Sequence, residues 1–106
     1  MEKTRWNDMS ERELAPGIKG RYFHGQGVTY GRVFILAGSV MPMHSHPHEQ
    51  VTHILEGSLK MVVGHALHIL EAGDMLAIPP HTPHGAEALT DVTLTDVFTP
   101  VREDYR

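Results

Sequence analysis

The sequence predicts an all-β sandwich or barrel, on three observations. No segment sustains the apolar 3.6-residue period of a helix. Short runs rich in β-branched and aromatic residues recur at 18–23, 28–37, 50–55, 59–63, 66–70, 75–78 and 92–98. Clusters of glycine and proline punctuate them at intervals of about 8–12 residues, the spacing of an all-β fold.

Taken in order, residues 1–17 are polar and acidic apart from Trp6, and are expected to form an arm or an edge strand. The turn HGQG (24–27) separates the first two strand runs. Side chains two apart share a face of a strand. In 28–37 that rule groups Val28, Tyr30, Arg32, Phe34 and Leu36, which reads as the interior set and makes Arg32 a possible inward charge. AGSVMP (37–42) reads as a turn, followed by HSHPHEQ (44–50) and a strand over 50–55. EGS (56–58), VGH (63–65) and EAGD (71–74) close the hairpins around 59–63, 66–70 and 75–78. IPPHTPHG (78–85) reads as a long turn. The last strand, 92–98, puts Val92, Leu94, Asp96 and Phe98 on its interior face, so that Asp96 enters an apolar core. With no linker composition and no internal repeat, residues 1–106 read as one domain.

Composition narrows the function. Nine basic and 13 acidic side chains give a mild acidic balance, and the basic ones are scattered. No basic stripe for nucleic acid or an anionic membrane is present, and no apolar run reaches the roughly 20 residues of a membrane span. A polar, acidic N-terminal stretch does not read as a secretory signal, and the absence of cysteine fits a cytoplasmic protein. Nine histidines are the outlier, dispersed from 24 to 84.

His44 and His46, two apart, would project from one strand face about 7 Å apart. Gln50 follows after Pro47 has had room to turn the chain, and His84 comes from a distant strand end. Three imidazoles and one amide oxygen suit one divalent transition metal, such as Zn, Ni, Mn, Fe or Cu, better than Ca or Mg. The competing reading is a set of solvated loop histidines. His48 shares the parity of His44 and His46 and is a rival ligand, although Pro47 favours a rim or hydrogen-bonding role for it. Glu49 would replace Gln50 if the turn rotated the chain by one residue. His24, His65 and His68 lie in or beside turns and read as solvated, His53 as outward, and His81 as lining the mouth near His84. Met41 and Met43 flank the histidine strand and would shape its apolar surround. A carboxylate such as Asp96 on an apolar face costs several kcal/mol unless paired or solvated. It is either an ion-pair partner of Arg32 or Arg102 or a proton carrier beside the metal.

The stretches GSVMPMHSHPHEQVTHILEG (38–57) and GDMLAIPPHTPHGAEA (73–88) resemble the paired motifs of the cupin superfamily. The resemblance covers about residues 28–100 and implies a double-stranded β-helix, the jelly-roll barrel. HSHPHEQ with HILEG, IPPHTPHGAEAL and LTDVFTPVRED is similar more narrowly to the small single-domain cupins of the KdgF type. That similarity implies action in pectin and alginate breakdown, converting 4,5-unsaturated monouronates to a linear keto form. It implies metal ligands at His44, His46, Gln50 and His84, and active-site roles for Asp96, Phe98 and Arg102. It implies also a homodimer in which the N-terminal segment with Trp6 crosses between partners. Val101, where the family has a second proline, and His81, at a turn position commonly Asn or Gly, depart from the pattern.

Four neutral ligands would leave a divalent cation its full charge and make it a strong Lewis acid, which favours proton transfers over redox chemistry. The expected activity is therefore ring opening and ketonisation of a small acidic, sugar-derived substrate. The substrate's carboxylate and adjacent oxygens would bind at the metal with Arg102 as second clamp, Asp96 would carry the proton, and Phe98 would form the wall. A metal-dependent dioxygenase and a non-catalytic sensing cupin are the alternatives.

Overall fold

A computed structural model describes residues 1–106. Ten strands follow one another along the chain: β1 (Arg12–Ala15), β2 (Ile18–His24), β3 (Thr29–Ile35), β4 (Val40–His44), β5 (Glu49–Glu56), β6 (Ser58–Val63), β7 (Ala66–Glu71), β8 (Met75–Ile78), β9 (His84–Ala88) and β10 (Val92–Thr99). Single 3₁₀ turns stand at Trp6–Asp8 and Glu103–Tyr105. A six-stranded antiparallel sheet runs β1-β2-β3-β10-β5-β8, and a four-stranded one runs β4-β9-β6-β7. No helix is long and apolar enough to cross a membrane.

The core lies between the two sheets, where Ile18, Ile54, Leu59, Ile78 and Val92 are at most 1% exposed. Burying each such side chain stabilises the fold by about 1.5–3 kcal/mol. β10 holds the centre of the large sheet, paired with β3 and β5, and its inward set is Val92, Leu94, Asp96 and Phe98, as its alternation predicts.

On β3 the structure reverses the predicted face. Thr29, Gly31, Val33 and Ile35 are buried, whereas Tyr30 and Phe34 are exposed. Arg32 is therefore outside, its guanidinium 5.2 Å from the Trp6 ring, which Arg21 also meets at 5.2 Å. Both faces of this run are apolar, so alternation alone does not choose between them. The inward glycine at 31 makes room for the Tyr22 ring, which a Cβ there would strike.

Two strands replace predicted turns. Pro42 lies inside β4, tolerated because β4 is the outer strand of the small sheet, where a missing N–H breaks no internal ladder. Gly85 lies in β9, where a Cβ would sit 2.9 Å from the Met41 carbonyl oxygen. Punctuating residues here serve an edge and a close backbone approach. Gly57 does make its turn, at φ +91°, tucked against the Asp91 carbonyl.

Candidate metal centre

The HSHPHEQ stretch is the crossing between the two sheets. β4 ends at His44 and β5 begins at Glu49, so the predicted placement of His44 and His46 on one strand is corrected: His46 belongs to the link. His44 stands opposite His84 in the β4–β9 register, and Gln50 opposite Phe98 in the β5–β10 register. Side chains from both sheets and from their link thus meet at one end of the barrel. The ligand nitrogens of His44, His46 and His84 lie within 4.8 Å of one another.

A backbone carbonyl meets Nδ1 of each ring: Pro42 O at 2.7 Å from His44, His48 O at 3.1 Å from His46, and Thr82 O at 2.8 Å from His84. A carbonyl can only accept, so Nδ1 of His44 and of His84 carries the hydrogen and Nε2 keeps a lone pair when the ring is neutral. His46 has an oxygen acceptor at both ring nitrogens, and a neutral ring can give a hydrogen to only one of them. His84 Nε2 is buried with no hydrogen-bond partner. His46 Nε2 faces Gln50 Oε1 at 3.0 Å. The amide cannot turn to relieve this pair of acceptors, because its nitrogen donates to Thr52 Oγ1 at 3.0 Å and to Asp96 Oδ1 at 3.2 Å.

Whichever tautomer the neutral His46 ring adopts, one nitrogen is left lone pair to lone pair with an oxygen, a conflict that a cation at Nε2 would relieve. A proton is a poor candidate near neutral pH, since burial and then the charge of Arg102 push His46 down to about 4. Burial likewise lowers His84. A transition-metal ion fits the donor set of three imidazoles and one amide oxygen, and at His46 Nε2 it would leave Nδ1–H free to donate to the His48 carbonyl.

Asp96 is buried and forms no ion pair with Arg32 or Arg102. Its Oδ1 accepts from the Thr52 hydroxyl at 2.6 Å and from the Gln50 amide. Burial raises its carboxyl to about 6, against the opposing pull of those two hydrogen bonds and of the Arg102 charge. Tyr22, Gly31, Asp96 and Thr52 form one cross-strand row over β2, β3, β10 and β5. Tyr22 thereby joins the site unannounced by the sequence, since only the strand register sets it beside the inward Gly31.

Arg102, near the end of the chain, is only 6% exposed. Its guanidinium lies 4.8 Å from the Phe98 ring and 4.0 Å from the Tyr105 ring. A cavity of about 60 Å³ joins His44, Gln50, His84, Asp96, Phe98 and Arg102 to the apolar barrel interior. Met41 lines that cavity too, whereas Met43 is exposed.

The other histidines sort by geometry. His48 is buried beside Phe98 with Nδ1 unpartnered, outside the converging trio. Glu49 and His81 are exposed, and the His81 N–H donates to His46 O at 2.8 Å. His24, read as solvated, is half-buried and bonds Thr29 Oγ1 and Tyr105 O.

Residues 31–98 match the model of the cupin domain, Cupin_2. The pectin degradation protein KdgF of Dickeya dadantii (strain 3937) is 27% identical over 98% of this chain and 93% of its own. KdgF from Halomonas sp. superposes with a TM-score of 0.89 at 28% identity, covering 96% of each chain. An RmlC-like cupin from Shewanella frigidimarina gives a TM-score of 0.90 at 28% identity, over 97% of this chain and 94% of the other. With the family model spanning most of the length, the barrel and its histidine cluster identify the chain as a member of the cupin family.

Proposed function

We propose that this cupin opens the ring of a 4,5-unsaturated monouronate, or a closely similar sugar acid, and delivers the linear keto acid. The observation that carries the reading is the continuous path His46–Gln50–Asp96, which places a buried carboxyl without a cationic partner one side chain from three convergent imidazoles. The likeness to two proteins named KdgF, one described as a pectin degradation protein, supports the substrate class.

His44, His46, Gln50 and His84 would hold one divalent transition metal, which would supply Lewis-acid polarisation of substrate oxygens. Arg102 binds the carboxylate, and Phe98 forms the apolar wall beside the sugar ring. Asp96 removes the proton from the C1 hydroxyl. C1 becomes a carbonyl as the bond from C1 to the ring oxygen breaks, and the electrons pass to that oxygen, leaving an enolate across C4 and C5. The protonated Asp96 then donates to C4, and C5 becomes the ketone. No electrons are gained or lost, and the product is an isomer of the substrate. A carboxyl raised to about 6 is suited to both halves of this cycle near neutral pH.

The test is the loss of the enol-ether ultraviolet absorbance from unsaturated monouronates, with wild type and Asp96→Asn, each metal-loaded and under anaerobic conditions. Wild type should convert substrate without O₂, and Asp96→Asn should be slower by about 10²–10⁴-fold while retaining metal. An absolute requirement for O₂, or full activity in Asp96→Asn, would overturn the mechanism.

A further inference from the structure

The turn that carries Arg102 is tied down at both ends. Thr29 Oγ1 accepts the Arg102 backbone N–H at 2.8 Å, and the His24 ring bridges Thr29 Oγ1 at 2.8 Å and the Tyr105 carbonyl at 3.2 Å. Arg12 donates to the Asp104 carbonyl at 2.9 Å. Inside this turn the Asp104 carboxylate accepts both Nε–H and Nη2–H of Arg102, at 3.0 and 2.8 Å. Tyr105 and Phe98 lie against the guanidinium. One edge of the cation is therefore filled. Of its five N–H donors, both on Nη1 and one on Nη2 are left.

We propose that Asp104 is a positioning residue, which fixes the Arg102 guanidinium so that it meets the substrate carboxylate end-on through Nη1 and the remaining Nη2 donor. This rests on the reading of Arg102 as the carboxylate clamp. A free arginine side chain carries rotamer entropy that binding would have to remove. Here that ordering is complete before the ligand arrives. Burial works against the charge of Arg102, but the Asp104 hydrogen bond, together with Tyr105 and the Asp104 charge, outweighs it and holds the cation above its ordinary value. In return, the bond from Arg102 holds Asp104 below the usual carboxylate range. The Asp104 side chain is 57% exposed and that of Arg102 7%, so Asp104 braces the cation from the solvent side. A carboxylate at this position could instead compete with the substrate for Arg102, and the two roles give opposite signs on its removal.

The experiment uses the full metal-loaded chain as wild type, Asp104→Ala, Asp104→Asn, Arg102→Met and the Arg102→Met/Asp104→Ala double variant. D-Galacturonate serves as a non-reacting probe for calorimetry, and the Arg102 Nε–H resonance, identified by its loss in Arg102→Met, reports directly on the clamp. A slowly exchanging Nε–H is expected in wild type and not in Asp104→Ala. The Kd for galacturonate, and KM where an unsaturated uronate is converted, should rise about tenfold with kcat within about twofold. Asp104→Asn, which keeps an acceptor but loses the charge, should fall between. In the Arg102→Met background, Asp104→Ala should change nothing further. A persistent Nε–H signal, unchanged or tighter galacturonate binding in Asp104→Ala, or an equal loss in the Arg102→Met background would overturn the proposal. If wild type converts no unsaturated uronate, the proposed reaction falls, while the Nε–H signal and galacturonate affinity still decide the role of Asp104.

Discussion

Gln50 links the histidine cluster to Asp96: its oxygen faces His46 Nε2 at 3.0 Å while its nitrogen donates to Asp96 Oδ1 at 3.2 Å. A glutamate could make the first contact but not the second. Gln50→Glu would set two carboxylates at hydrogen-bond distance, raise the affinity of Asp96 for its proton, and partly neutralise a bound cation. Metal should be retained, with turnover lower by about tenfold, the equivalent of about 1.4 kcal/mol of lost transition-state stabilisation. Metal analysis beside the uronate assay checks this. Unchanged or faster turnover would show that the neutrality of Gln50 does not matter.

The raised carboxyl of Asp96 makes a pH prediction for the metal-free chain. Folded, it titrates near 6 rather than 3.8, so the native state binds more protons than the unfolded chain between those values. Stability from this group is then fully present below about 4 and falls as pH rises through about 6, by at most about 3 kcal/mol. The lowered His46 and His84 act in the opposite sense, their contribution being lost as pH falls below 6.5. Comparison with Asp96→Asn cancels the histidines. The stability advantage of that variant over wild type should shrink between pH 7.5 and 4.5 in urea titrations. A pH-independent difference would contradict the buried ionisable carboxyl.

Much of this site was legible because its signals are local. The spacing of His44, His46 and Gln50 survives whether His46 lies on a strand or in a link, and alternation on β10 placed Asp96 and Phe98 inward without knowledge of their neighbours. Cross-strand information was not legible. Tyr22 reaches the site only because Gly31 is its register partner, and Arg102 is ordered by Asp104, Tyr105 and Phe98 rather than by its own position. The strands at 40–44 and 84–88 were hidden because Pro42 and Gly85 look like turn residues until the edge position of one and the close packing of the other are known.

Metal should stabilise the fold, since neutral His46 can satisfy only one of its two oxygen acceptors without a cation. At a free metal concentration about 100 times Kd, binding to the folded state alone adds about 2.7 kcal/mol. The Tm should therefore rise with Zn²⁺ or Ni²⁺ and return on chelation. His84→Ala removes a buried Nε2 that has no other partner, and should abolish most of the metal-dependent shift. An equal shift in that variant would place the ion elsewhere.

Gly31 offers a test of the row that carries Asp96. A Cβ at this position would enter the Tyr22 ring, whose hydroxyl end lies over Gly20, a second position where a Cβ would strike it. Gly31→Ala should therefore destabilise the chain by about 1–3 kcal/mol through overpacking. Removing the ring should relieve the clash, so that Tyr22→Ala/Gly31→Ala loses less than the sum of its single variants. Chemical denaturation of the four chains measures the coupling. Strict additivity would mean that the ring does not depend on the glycine, and that Tyr22 reaches the Asp96 cavity for some other reason.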